Sequence, residues 1–216
     1  MIDGSPPDVK SSRAYDASRR REQARQTRQR IVQTAEQMFL TDGYSSTTVQ
    51  AIADTARVSV DTIYKSFGGK PGLIRAIRDH ALKGEGPIPA EQRSDEIQGR
   101  ETDARKIIHA WGAFVAELAP RASPILLLIR DAAATDVEVR RLHNELDADR
   151  LKRMTANARR LRDAGHLRSG IPLAQVADVL WAYSSPELYE LLVLRRGWTP
   201  KRYGRFVAEA MIEALL

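Results

Sequence analysis

The 216-residue chain has no cysteine, so disulfide frameworks, thiolate metal sites and cysteine nucleophiles are all excluded. It also lacks a Gly-x-Ser-x-Gly nucleophile elbow. Gly68-Gly69-Lys70 fails as a phosphate loop, because Pro71 follows the lysine and the first glycine of that motif is missing. No run alternates at period two over a strand length, and no segment repeats. Long apolar runs are absent too: residues 125–129 are the most apolar stretch and are far too short to cross a bilayer. The first residues, with Pro6 and Pro7, lack the apolar region of a signal peptide. His143 and Asp147 are spaced i, i+4, but without a third anchored ligand they read as a polar surface pair. What is left is an all-α protein, expected to work in the cytoplasm with no membrane, metal or cofactor.

Basic charge is in excess. A formal net charge of +6 favours a polyanionic partner. Six arginines between Arg19 and Arg30 face a single acid, Glu22. Just beyond this run, Val49, Ile52, Ala53 and Ala56 recur at i, i+3, i+4 and i+7, the apolar stripe of a short helix, and Thr47 with Gln50 has the spacing of a capping box. Ser59 is a good N-cap for a second helix, in which Val60, Ile63, Tyr64 and Phe67 repeat the stripe while Asp61, Thr62, Lys65 and Ser66 face outward. Gly68-Gly69 ends it. Two short helices joined by a tight turn, the second with a polar outer face, outline a helix-turn-helix DNA reader.

Phe39, Gly43-Tyr44, Thr47-Thr48-Val49, Ile52-Ala53, Val58-Ser59, and Tyr64, Phe67 and Lys70 stand in fixed register. In this respect the region from about Arg25 to Leu82 resembles the DNA-binding domain of TetR-family transcriptional regulators. Arg57 departs from the family pattern, since it stands where glycine is common; a left-handed backbone there costs on the order of 1 kcal/mol. Asp61 departs as well, placing a negative charge on the recognition helix. The stretches 165–168, 177–181, 185–189 and 196–199 resemble the regulatory domain of the same family and imply a scaffold without naming a ligand.

The expected organisation has four parts. Residues 1–22 read as a flexible basic arm. Residues 23–83 form the three-helix DNA-binding module and the helix beginning at Lys70, with Ile31, Ala35, Met38 and Phe39, then Leu73, Ile74 and Ile77, inward. Residues 84–102, opened by Gly84-Glu85-Gly86-Pro87, read as a linker. Residues 103–216 form a larger helical bundle for ligand binding and dimerisation, with helices over 104–118, 124–134, 137–164, 173–183, 186–196 and 200–216; Pro120 is expected to end the first of these.

Base readout falls to the start of the second motif helix, on Ser59, Asp61, Thr62 and Lys65. Asp61 could accept from a cytosine amino group, cap its helix, or pair with Lys65. The family resemblance implies phosphate contacts for Thr48, Tyr64 and Lys70; Arg25 and Arg28, just beyond the arm, add two. Tyr64 could instead be simple core. A small-molecule effector would sit in the larger bundle, with Trp111, Phe114, Leu127, Met154, Trp181 and Tyr189 as candidate walls and His109 as a hydrogen-bonding partner. Leu188, Leu191, Leu192, Phe206, Met211 and Leu215 exceed one amphipathic stripe, and the resemblance implies a homodimer through the last two helices. The expected function is therefore a repressor released from a palindromic operator by an effector. Its rivals are an effector-free architectural DNA-binding protein and a helical-bundle enzyme with a vestigial motif.

Overall fold

The computed structural model describes residues 9–83 and 88–216, and every regular element among them is helical. α1 spans Val9–Asp42, α2 Val49–Ala56, α3 Val60–Phe67 and α4 Lys70–Lys83. α5 spans Ala90–Arg100, α6 Ala104–Ala132, α7 Val137–Asp163 and α8 Leu173–Tyr183. α9 opens as an α-helix over Pro186–Tyr189 and widens to π-helix over Glu190–Arg195; α10 spans Pro200–Leu215.

Two apolar cores hold these helices. The first gathers Ile31, Ala35 and Phe39 of α1, Ile52 of α2, Ile63 of α3, and Leu73, Ile74 and Ile77 of α4. It extends to Ile125 and Ile129 of α6 and to Val139, Leu142 and Leu146 of α7. The N-terminal module is thus fused to the larger bundle through a shared core. The second core joins α6, α7, α8 and α10 around Ile108, Trp111, Leu161, Leu180, Tyr203 and Val207.

Three expectations change. The basic arm is helical from Val9 onward; a chain rich in Arg, Ala and Gln has good helix propensity, and the Glu22 carboxylate accepts from Arg25 and Gln26 at i+3 and i+4. Residues 1–8 of the arm, and 84–87 of the expected linker, lie outside the described residues. The remainder of that linker contains α5, whose sequence is too polar to show a stripe. It is fixed by tertiary ion pairs instead: Arg93 grips Glu117 of α6 through both terminal nitrogens at 3.0 and 2.6 Å, and Asp95 binds Arg153 and Arg160 of α7. Burial works against the Asp95 carboxylate, but the two arginines outweigh it and lower its pKa.

Pro120 does not end a helix either. α6 runs unbroken through Pro120 and Pro124. An interior proline costs about 3 kcal/mol, and here the packing of α6 against α1, α4, α5, α7, α9 and α10 outweighs it. The merged helix is long and apolar enough to cross a membrane by length and composition, yet here it is the shared central helix of both cores. It crosses α10 closely at Gly112 and Gly204. A Cβ added to Gly112 would stand 2.4 Å from the Gly204 carbonyl oxygen, and one added to Gly204 would stand 2.2 Å from that of Gly112.

Candidate functional site

The α2–turn–α3 unit is set by its caps. Thr48, and not Thr47, caps α2: its hydroxyl accepts from the Ala51 N–H at 3.1 Å. Thr47 is buried, donating to the carbonyls of Gly43 at 2.8 Å and Met38 at 3.2 Å, so it locks the α1–α2 corner. Arg57 adopts the left-handed conformation, with φ 54° and ψ 52°, and is the one non-glycine residue with positive φ among the described residues. There the Val58 N–H reaches the Ala53 carbonyl at 3.0 Å, closing α2 in the manner glycine usually serves.

Ser59 caps α3 by accepting from the Thr62 N–H at 3.1 Å, and the two hydroxyls lie 2.8 Å apart. Thr62 is therefore half-buried and tied to the cap, while Ser59, Asp61, Lys65 and Ser66 are exposed. Asp61 pairs with Lys65 at 2.7 Å. Exposed i, i+4 pairs contribute little and open readily, which leaves both groups available to a base edge. Tyr64 is 54% exposed, so its ring is not core and stands on the outer face beside Lys65. Ile63 alone anchors the inner face of α3 completely.

The basic residues divide. Arg25 is exposed and paired with Glu22 at 2.7 Å. Arg28 donates to the Ser66 carbonyl at 3.0 Å and lies over the Phe67 ring at 4.3 Å, and Arg30 donates to the Ala56 carbonyl at 3.0 Å. These two arginines of α1 cap the C-terminal ends of α3 and α2, an orienting role that no sequence motif announces. Lys70 turns inward: Nζ donates to the Tyr44 carbonyl at 2.5 Å and sits 4.1 Å from the Tyr44 ring centre. Burial lowers its pKa, and burial together with Asp136 pushes the Tyr44 phenol up to about 12. Lys70 thus bolts α4 to the α1–α2 corner.

A second site lies in the larger bundle. A half-open cavity of about 1030 Å³ is lined by α4 to α8, the start of α9, and α10. Trp111, Phe114, Met154 and Trp181 line it, as expected from the sequence. Three expected residues do not: His109 is exposed, since its place on α6 points away from the cavity-lining stripe; Leu127 is buried outside the lining; and Tyr189 packs edge-on against Tyr203 at 5.5 Å. Leu126, Ile129, Leu146 and Leu180 take their places, and the walls also hold Ser94, Ser123 and Asn157. The end of α4, with Arg78, Asp79, Leu82 and Lys83, forms part of the wall. Arg75 and Arg78 of α4 pair with Glu145 and Asp149 of α7, the second at 3.3 Å. Among the described residues no cluster of His, Asp and Glu is placed to hold a metal.

A capped helix-turn-helix with a polar outer face, joined by one helix to a large cavity in the bundle, defines the class of helix-turn-helix regulators. Residues 31–77 match the model of the bacterial regulatory proteins, tetR family. An uncharacterised HTH-type transcriptional regulator of Bacillus subtilis, YvkB, is 30% identical over 109 residues, half of this chain and 54% of that protein. The match thus spans about half the length of that curated relative. FadR from Bacillus subtilis, solved with stearoyl-CoA, superposes with a TM-score of 0.68 at 17% identity over 87% of this chain and 99% of its own. SmeT, solved with triclosan, gives 0.65 at 21% over 88% and 91%. Residues 31–77 are thus a DNA-binding domain of the tetR type, and the chain as a whole has the fold of FadR and SmeT.

Proposed function

We propose that this chain is a cytoplasmic repressor that binds a palindromic operator as a homodimer and releases it when a small molecule fills the cavity. One observation carries the reading: α4 belongs to both sites. Leu73, Ile74 and Ile77 are in the core of the DNA reader, while Arg78, Asp79, Leu82 and Lys83 are cavity wall less than two turns further on. A ligand that needs room against that wall must displace α4, and α3 moves with it. Two recognition helices then no longer match successive major grooves, about 34 Å apart, and operator affinity falls by the ligand's preference for the displaced state. Ser59, Asp61, Thr62 and Lys65 would read bases; Thr48, Tyr64 and Arg25 would meet phosphates. Arg28 and Lys70 act by holding α3 and α4 in place.

The dimer reading draws on Leu191 and Leu194 of α9, 51% and 55% exposed, and on the exposed Phe206 of α10. Met211 and Leu215 drop out of the expected contact set, because both are buried within their own protomer. Liganded FadR and SmeT support a cavity that takes small molecules in this fold. The test is selection from a random-sequence duplex library. One palindromic motif is the expected result, and sequence-independent recovery would favour the architectural rival.

A further inference from the structure

Four polar residues are buried among the described residues, and three of them, Ser94, Ser123 and Asn157, line the cavity. Their exposures are 7%, 4% and 5%. All three are uncharged, and each has a proton to donate. The Asn157 Oδ1 accepts from Gln98 Nε2 at 3.3 Å, which leaves its Nδ2 without a protein partner. Ser94 Oγ accepts from Trp111 Nε1 at 3.0 Å, leaving its own proton free, and the Ser123 hydroxyl makes no side-chain hydrogen bond. Trp181 adds a buried Nε1 with no partner at all. Trp181 Nε1 is the one of these donors that is fully buried, and buried donors are nearly always satisfied, so it calls for an acceptor from elsewhere; the Asn157 amide and the Ser123 hydroxyl line the same cavity.

Charge argues in the same direction. Five basic and five acidic side chains reach the cavity boundary, so their formal charges cancel. The three arginines among them are already engaged: Arg78 with Asp79 and Asp149, Arg150 with Asp147, and Arg153 with Asp95. Lys83 and Lys152 are exposed at the rim. An anion held deep in the cavity would have to break one of these pairs or remain uncompensated, and a buried cation would meet the same cost.

We propose that the cavity takes an uncharged, largely apolar molecule bearing a carbonyl-type oxygen, which accepts from Asn157 Nδ2 and the Ser123 hydroxyl while its body packs on Trp111, Phe114 and Trp181. This rests on the cavity being the effector site and adds the ligand's chemical class. The test uses two matched dyes titrated into the full chain by calorimetry: 2-propionyl-6-dimethylaminonaphthalene, a neutral ketone, and 6-dimethylamino-2-naphthoate, its carboxylate counterpart. The ketone is expected to bind at least about tenfold more tightly. Asn157→Leu and Ser123→Ala are each expected to weaken it about two- to tenfold, the span of one neutral hydrogen bond, and to move its emission to shorter wavelength as its carbonyl loses a donor. Thermal melts of both variants accompany the titration, and Ser123→Ala, which removes only a hydroxyl, decides the matter if Asn157→Leu does not fold. Equal or tighter binding of the carboxylate, or ketone binding and emission untouched by the folded variants, overturns the ligand class while leaving the cavity as the site. Failure of both dyes to bind removes the class and the effector reading together.

Discussion

Replacing Gly112 by alanine tests the packing that fixes the cavity's geometry. The new methyl would lie 2.4 Å from the Gly204 carbonyl oxygen and 2.7 Å from the Ala208 Cβ. Ordinary contact begins near 3.4 Å, so α6 and α10 must separate by most of an ångström, and the nearest obstacle is backbone that cannot rotate away. Overpacking of this kind costs about 1 to 3 kcal/mol. A clash against rigid backbone falls in the upper part of that range, about 2 to 3 kcal/mol; alanine's better helix propensity returns about 1 kcal/mol, leaving a net loss of about 1 to 2 kcal/mol. For a chain of this size that is a fall in Tm of about 2 to 8 °C, read by circular dichroism. Gly99→Ala is the control. It lies within α5, has nothing within 4 Å of its would-be Cβ, and has no positive φ, so the same propensity term should raise its Tm. A Gly112→Ala protein that melts at or above the wild type, with Gly99→Ala behaving as expected, would refute the close-crossing argument.

Other perturbations separate stability from DNA contact. Tyr64→Phe removes an exposed hydroxyl, so it should weaken binding to all duplexes alike without moving Tm; discrimination between sequences that changes with it would make Tyr64 a reader of bases. The Asp95 carboxylate has a lowered folded pKa, so its contribution is complete above the usual carboxylate value near 4 and is lost as pH falls through the lower folded value. Asp95→Asn should therefore flatten the acid side of a stability-against-pH curve, whereas parallel curves for the two proteins would contradict this. If the proposed homodimer forms through α9 and α10, the chain sediments at equilibrium as a dimer and Leu191→Glu with Leu194→Glu converts it to a folded monomer; a double variant of unchanged dimeric mass would contradict this interface, and a monomeric wild type the dimer itself.

The DNA reader was legible because its information is local. An apolar stripe, two hydroxyl caps and a glycine stop define α2 and α3 within some twenty residues, and the register of Phe39, Tyr44, Tyr64 and Phe67 carries the family likeness. Even there, the cap falls on Thr48 and not on Thr47, because either threonine can start a helix and only the buried corner decides which hydroxyl turns in. Lys70 reads as an exposed cation until the Tyr44 carbonyl and ring are placed beside it. α5 and the unbroken α6 were illegible for a related reason. Their helicity rests on partners distant in sequence, such as Glu117, Arg153 and Gly204, and not on their own pattern. The cavity was half legible: aromatic residues on inward faces were identifiable, but whether Leu127 or Leu126 meets empty space depends on helix rotations that periodicity cannot resolve.

The central claim is that cavity and DNA reader are coupled through α4. It is tested most directly by titrating the library-selected duplex with the chain alone and with the chain saturated by the neutral naphthyl ketone. Coupling predicts that saturation weakens duplex binding by some factor, and that saturating duplex weakens ketone binding by the same factor, since linkage is reciprocal. A ketone that binds the cavity, with duplex affinity identical in its presence and absence, would contradict the account.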